Sequence, residues 1–558
     1  MSSTLVDQVG VAPSILILKE DIETSDDLKL ALLEARGISG NDTFTSLKEW
    51  NQAIDPALLA EGQKLARDND HILVGLFPRE GGEAFQKRAG FYSHLLQGDT
   101  QAISVTEAFQ TYYERSAGAT GLKATSLSGL NRKKNEYLTH SFHKYKAKFF
   151  PRMARALTNY VLPDGGRVLD PFMGSGTLGV EATLMGVQAE GIDVDPLSVE
   201  MAKLKVDAIR IPASEARKAY EHFLVAVSAN QQQGLLWGES SEPNSAYELP
   251  EFIRKKITPE ALRDEIEEDA RIALSALSSY SAEEGRRFLR IALSHALATK
   301  VGLRWMGTGD NRFALSMGVR RLIRVMSNHL SKMVAALEQR DLLISGGFLN
   351  FSELGSANIQ RGDVRMLPYQ DNSIDGIVTS PPYLPASSGR ETYLRSRACS
   401  LTALGLMSEA EIMVRETEMV GSIIRTAPAR SSGLPQSISE LVEWMEPQRA
   451  RKPKALATSA YFLDIAQSLR EMARVIKPGG KIALVVSSEH VFYDLLTREV
   501  VRRVSMPEAI SEIISEPHNE IPLKLDNVVK IQLPKMDYVA RPASKGDYAE
   551  AVVIATKV

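Results

Sequence analysis

A chain of 558 residues, 44% hydrophobic and 24% charged, has the balance of a folded globular protein, is long enough for three or four domains, and excludes bulk disorder. Its formal net charge of −3 excludes a generally basic polyanion binder, so any nucleic-acid surface has to be a local patch. A single cysteine, Cys399, excludes a disulfide framework and a multi-cysteine zinc site, and no metal-ligand set stands out. The opening twenty residues lack the charged start and long apolar core of a signal peptide, and no stretch approaches about eighteen apolar residues, so a cytoplasmic protein without membrane association is expected.

Residues 1–130 contain two apolar runs of strand length, Ile15–Leu18 and Ile72–Phe77, with helical patterns between them and no chemical motif. They read as an N-terminal domain of unassigned role, ending in the Gly, Ser, Thr and Lys-rich stretch Gly118–Lys134, which has linker composition. Residues 137–210 then spell out a strand (GGRVLD), a glycine-rich turn (PFMGSGT), a helix (LGVEATLMG), a second strand (AEGIDVD) and a second helix (PLSVEMAKLKVDAI). This βαβ pattern is the front half of a doubly wound α/β sheet. Residues 211–354 follow, roughly 145 residues where one crossover needs about thirty, so they form an inserted domain. The insert reads as helical, because TPEALRDEIEEDARIALSAL and Val319–Leu337 both keep a 3.6-residue apolar period. Between Arg286 and Arg340 it carries eleven Lys/Arg against two Asp/Glu, which is either a solvated helix face or a surface for a phosphate backbone. Residues 355–558 supply the back half: strands at NIQRGD and SIDGIVTS, the helix YFLDIAQSLREMARVI, the turn KPGG, the strand KIALVVSS, and two late strands, NVVKIQL and AVVIATKV.

Two loops carry chemistry. The first is Asp170-Pro171-Phe172-Met173-Gly174-Ser175-Gly176-Thr177 between a strand and a helix, where Gly174 and Gly176 permit a tight turn and close backbone approach to a ligand. Asp193, seventeen residues after Gly176 at the end of the next strand, is placed to accept hydrogen bonds from both hydroxyls of a ribose, which makes the pair a site for a nucleoside cofactor. A nicotinamide dinucleotide fits less well, because Gly179 falls one place early for the third glycine of the dinucleotide turn. The second loop is Ser380-Pro381-Pro382-Tyr383, directly after the strand Ile374–Thr379. Two prolines fix the backbone and remove two donors, so the Ser380 hydroxyl and the Pro381 carbonyl can hold the two hydrogens of an amine while Tyr383 stacks on its ring.

Together these loops resemble the amino-methylating DNA methyltransferases, which modify the exocyclic amine of cytosine or adenine. The resemblance implies a Rossmann-like S-adenosylmethionine-dependent methyltransferase fold, mostly parallel with a terminal antiparallel strand, and S-adenosyl-L-methionine as cofactor. It covers roughly residues 137–210 and 355–558 and does not cover residues 1–130 or the insert. It extends to Thr139–Pro151, similar to the segment that closes over the methionine part of the cofactor, which nominates His143, Lys148 and Phe149. It also nominates Asp363 for the cofactor's adenine amine and makes the insert a candidate target-recognition domain. Asp375 is a structural or functional carboxylate. A serine before Pro-Pro-Tyr favours N4 of cytosine over N6 of adenine, with DNA as partner and a cognate restriction nuclease as a candidate companion. Guanosine-N2 methylation of tRNA and a catalytically silent nucleic-acid-binding subunit are the alternatives. Arg390, Glu391, Tyr393 and Arg395 either touch the target nucleotide or simply open the next helix. Cys399 lacks the Pro-Cys context of a carbon-5 methylating thiolate and is expected to be a buried small residue.

Overall fold

A computed structural model of the chain describes residues 10–109, 137–237, 247–305, 313–385, 392–425, 434–532 and 549–558, apart from positions 21, 23–24, 146–147, 164, 450, 495–496 and 498. The stretch with linker composition, Gly118–Lys134, lies outside the described residues. Strands β1 (Val11–Leu18), β2 (Thr45–Ser46), β3 (Ile72–Pro78), β4 (Tyr92–Gln97) and β5 (Thr100–Ile103) form an antiparallel sheet in the order β2-β3-β1-β4-β5. Strand β1 is buried on both faces. Ile15 and Ile17 pack with Ile72, Val74 and Leu96, while Leu16 and Leu18 point the other way into a cluster shared with Met153 and Leu157. The period of two thus serves two cores at once. Met153 and Leu157 belong to the helix Pro151–Val161, buried at every position because it lies between this sheet and the larger one.

The larger sheet contains β6 (Arg167–Asp170) and β7 (Gln188–Asp193), joined by the helix Thr177–Leu184, with the helix Pro196–Asp207 after β7. The insert follows, with helices Ala213–Trp237, Glu260–Ser279, Glu283–Lys300 and Leu322–Ser345 around one apolar cluster. It also contains an antiparallel hairpin the helical periods did not announce, β8 (Val301–Trp305) with β9 (Phe313–Met317). The last insert helix starts at Leu322 rather than Val319, where the buried Asp269 carboxylate accepts from Arg321 and from the Ile323 amide at 3.4 Å.

Strands β10 (Ser356–Arg361), β11 (Ile374–Thr379) and β12 (Ile476–Ser487) return to the sheet. A two-stranded hairpin, β13 (Glu489–Tyr493) with β14 (Val500–Ser505), follows, and β15 (Leu523–Gln532) and β16 (Ala549–Lys557) complete the order β10-β7-β6-β11-β12-β16-β15. All are parallel except β16, which runs against both neighbours, so the doubly wound sheet with a terminal antiparallel strand is present. Both faces are covered. Leu169, Ile377 and Ile482 meet Phe462 and Leu469 of the helix Lys452–Val475, while Val168, Val378 and Ala483 turn to the helix Pro151–Val161. That is why these strands read as continuous apolar runs rather than alternating ones. The chain winds outward from β6 through β7 to β10 and then crosses back to β11, so the switch point lies between β6 and β11, where the two chemical loops emerge. Among the described residues no helix is long and apolar enough to cross a membrane.

Candidate active site

Asp170 ends β6 and ties the two loops together. Its buried carboxylate accepts a hydrogen bond from the Thr379 hydroxyl at the end of β11 (2.6 Å) and one from the Phe172 amide (3.2 Å). Burial pushes this carboxyl up to about 7. In the turn that follows, Gly174 has φ +52° and donates its amide to Asp193 Oδ2 at 2.7 Å. Gly176, φ +77°, answers a different demand: a Cβ there would lie 2.5 Å from the Ala202 methyl. It lets the helix Pro196–Asp207 pack onto the turn rather than admitting a ligand. Thr177 is likewise buried, its hydroxyl 3.1 Å from that of Ser175.

Asp193 ends β7. Oδ2 takes the Gly174 amide and Oδ1 the Asp195 amide at 2.9 Å, so each oxygen keeps a lone pair for a further donor. Burial, followed by the charge of Asp195, pushes its carboxyl up to about 6. Asp195 caps the next helix through the Leu197 amide and also receives Arg397, whose guanidinium lies 4.3 Å over the Tyr145 ring and 2.9 Å from the Ser198 hydroxyl. Arg397 was not among the expected residues. It reaches the site from about two hundred positions downstream of Asp195, and nothing in its local sequence marks it.

The segment before the turn is held by a buried carboxylate. Glu181, on the helix Thr177–Leu184, accepts from Tyr137 (2.7 Å), His140 (2.6 Å) and Arg155 (2.7 Å). Burial alone would raise its carboxyl, but the Arg155 guanidinium and these donors hold it down to about 2. Lys148 donates to the His140 carbonyl at 2.7 Å. His143 is anchored to the insert, its ring nitrogens 2.8 Å from the Lys144 carbonyl and 2.8 Å from the Ser294 hydroxyl, and burial lowers its pKa to about 3.

The Ser-Pro-Pro-Tyr loop is clamped from two sides. Tyr461 donates to the Pro382 carbonyl at 2.9 Å, and the Tyr383 hydroxyl donates to Glu550 of β16 at 3.0 Å. Burial raises both the Tyr383 hydroxyl and the Glu550 carboxyl above their usual ranges. Among the described residues no donor meets the Ser380 hydroxyl or the Pro381 carbonyl. Asp363 follows β10, caps the turn Val364–Met366 through the Arg365 amide, and is gripped by the Arg365 guanidinium at 2.6 Å.

One cavity of about 1040 Å³ collects these groups. Every residue nominated for the cofactor or for holding the amine lines it except Gly176 and Thr177, and the insert closes it with Ala298, Gly302 and Ser316. Tyr393 lines it too, whereas Arg395 is buried and its backbone, with that of Tyr393, is held by Glu416. Arg390 and Glu391 lie outside the described residues. Asp375 sits at the opposite end of β11, bonded to the Arg167 amide at 2.9 Å and to Lys477, and is structural. Cys399 is buried, and burial pushes its thiol up to about 12, so it is no thiolate nucleophile. Part of the basic run in the insert is neutralised by the protein's own carboxylates, Arg286 by Glu283, Arg287 by Asp207, Arg290 by Glu200, Lys300 by Glu265 and Arg321 by Asp269, and Arg340 is buried against backbone carbonyls, while Arg320, Arg324 and Lys332 are exposed.

A DNA methylase family model matches residues 68–204, and an RMKL-like methyltransferase domain model matches residues 142–317. The chain is similar to the Type II methyltransferase M.MvaI of Kocuria varians, 23% identical over 420 residues that cover 71% of this chain and 87% of that protein. It is also similar to the Type II methyltransferase M.BsoBI of Geobacillus stearothermophilus, 21% identical over 62% of this chain and 73% of that protein. Over a stretch of 57 residues it is 44% identical to the tRNA (guanine(10)-N2)-dimethyltransferase of Pyrococcus abyssi, covering 10% of this chain and 17% of that protein.

Proposed function

We propose that this chain, which belongs to the amino-methylating DNA methyltransferase family and uses S-adenosylmethionine, methylates N4 of cytosine in DNA. The observation that carries the reading is the shared cavity at the switch point, where the glycine turn, Asp193 and the Ser-Pro-Pro-Tyr loop face one another. Its volume exceeds what one small ligand needs, so cofactor and target base can occupy it together.

The residues present fit that cofactor: Asp193 keeps an acceptor site on each oxygen for the ribose hydroxyls, and the turn from Asp170 to Ser175 lines the same cavity. Asp363, Phe149 and Lys148 complete the pocket. The cofactor supplies an electrophilic methyl group on a sulfonium. The chain's own work lies in holding the amine. Ser380 Oγ and the Pro381 carbonyl accept its two hydrogens, while the Pro382 carbonyl, already taken by Tyr461, serves the loop's shape instead. Tyr383 offers its ring to a base turned out of the duplex, since an amine inside the stack is not open to in-line attack. Attack by the amine lone pair would form the C–N bond as the methyl–sulfur bond breaks to leave a neutral thioether, and the proton then shed would pass to solvent, so no strong base is needed beforehand.

Serine at 380 supports cytosine, and the Type II methyltransferase relatives support methyl transfer to DNA. The test is transfer of labelled methyl to mixed-sequence duplex DNA, with RNA in parallel, followed by digestion to nucleosides. Label in N4-methylcytosine is expected. Label in N6-methyladenine would move the base, and label in RNA alone would overturn the reading.

A further inference from the structure

Several of the insert's arginines are paired with carboxylates, and a further set of cations beside the catalytic loop is left without carboxylate partners. On β13, His490 packs its ring 6.5 Å from that of Tyr383, and Phe492, two residues on and on the same face of the strand, packs 5.5 Å from Trp444. Trp444 lies near the end of the helix Gln436–Met445 and carries two guanidinium groups over its ring, Arg451 at 4.9 Å and Arg502 of β14 at 5.3 Å. Arg502 stands opposite Phe492 in the hairpin register. Arg451 spends donors on the Tyr493 carbonyl (2.6 Å) and on Gln448, which fixes the turn against the hairpin. The same turn displays Arg449 and Lys452, both exposed.

Among the described residues none of Arg449, Lys452 and Arg502 forms an ion pair with a carboxylate, whereas the neighbouring Arg503 is paired with Glu489 at 2.6 Å. Cations that compensate a polyanion have to be left unpaired by the protein itself, and an arginine held over an indole loses little further freedom on meeting a phosphate. Two rings on one face of β13, His490 beside Tyr383 and Phe492 beside Trp444, set this cluster along the strand from the ring proposed to hold the target base.

We propose that Arg502, over Trp444, together with Arg449 and Lys452 on the adjoining turn, forms the surface that holds the phosphate backbone flanking the target base. The inference rests on the function proposed above, and it places a backbone grip at the rim formed by β13, β14 and the turn before the helix Lys452–Val475. Each phosphate neutralised contributes about −0.9 to the slope of log K against log salt on duplex DNA, independent of sequence.

The experiment is fluorescence anisotropy of the full chain with a labelled mixed-sequence duplex across a salt series, for wild type and for R449Q/K452Q/R502Q. The triple variant should show a slope shallower by about 2 to 3, with its melting temperature and its S-adenosylmethionine affinity by calorimetry unchanged. Should Arg502 prove necessary for folding, the exposed pair R449Q/K452Q should still flatten the slope by about 2. A slope equal to wild type in a folded variant, while wild type methylates DNA, overturns this surface. A wild type that labels no DNA overturns the function instead.

Discussion

Asp193 makes the plainest statement a single residue can make here. It holds the turn through the Gly174 amide and still presents two acceptor sites to the cavity, so Asp193→Ala should weaken S-adenosylmethionine by about 2 to 4 kcal/mol, read by calorimetric titration. Its carboxyl is raised to about 6, so the ionised acceptor is present above that pH and is lost below it. Cofactor affinity should therefore be flat from pH 7 to 8 and decline by up to about tenfold per unit as pH falls below 6. Affinity constant down to pH 5 would place the titration elsewhere. Tyr383 shows where sequence reasoning stops. A stacking ring was legible from Pro-Pro-Tyr, and on that basis Tyr383→Phe should be mild. The hydroxyl, however, donates to Glu550, nearly two hundred residues away and buried. Tyr383→Phe should thus lower stability by about 1 to 3 kcal/mol in urea unfolding, and Glu550→Gln, which keeps an acceptor, should lower it less. Arg397, Tyr461 and Glu550 were invisible for one reason: each reaches the site across the fold, with no local pattern to mark it.

At the scale of elements, strands and helices flanking both loops were readable because each carries its own apolar period and turn signal. The hairpin of β8 and β9 was not, since two five-residue strands set between long helices leave too little alternation to separate from the helical background. The segment Tyr137–Phe150 is likewise shaped by its partner rather than by propensity. Glu181 gathers Tyr137, His140 and Arg155 in a fully buried cluster, so Glu181→Gln leaves the Arg155 charge uncompensated. We expect a loss of about 3 to 5 kcal/mol in urea unfolding, with the cofactor segment loosened. A loss under about 1 kcal/mol would show that the cluster relaxes or admits water.

Across the whole molecule, the sheet of strands between Val11 and Ile103 is the third layer of a stack. Its Leu16 and Leu18 share a core with Met153, Leu157, Val378 and Ile554. No motif in it pointed to that role, because packing onto a helix leaves only apolar residues behind. A chain lacking residues 1–109 should expose the helix Pro151–Val161 and aggregate, visible in light scattering during refolding, where a soluble monomer with native melting would show the layer to be dispensable. The central claim is that one cavity at the switch point holds cofactor and target base. Single-turnover methylation of duplex DNA with labelled S-adenosylmethionine, wild type against Tyr383→Ala, tests it most directly. The account predicts a fall of roughly 1 to 3 kcal/mol in the rate, from loss of the base's stacking partner, with cofactor affinity near wild type. Full DNA methylation by Tyr383→Ala would contradict it.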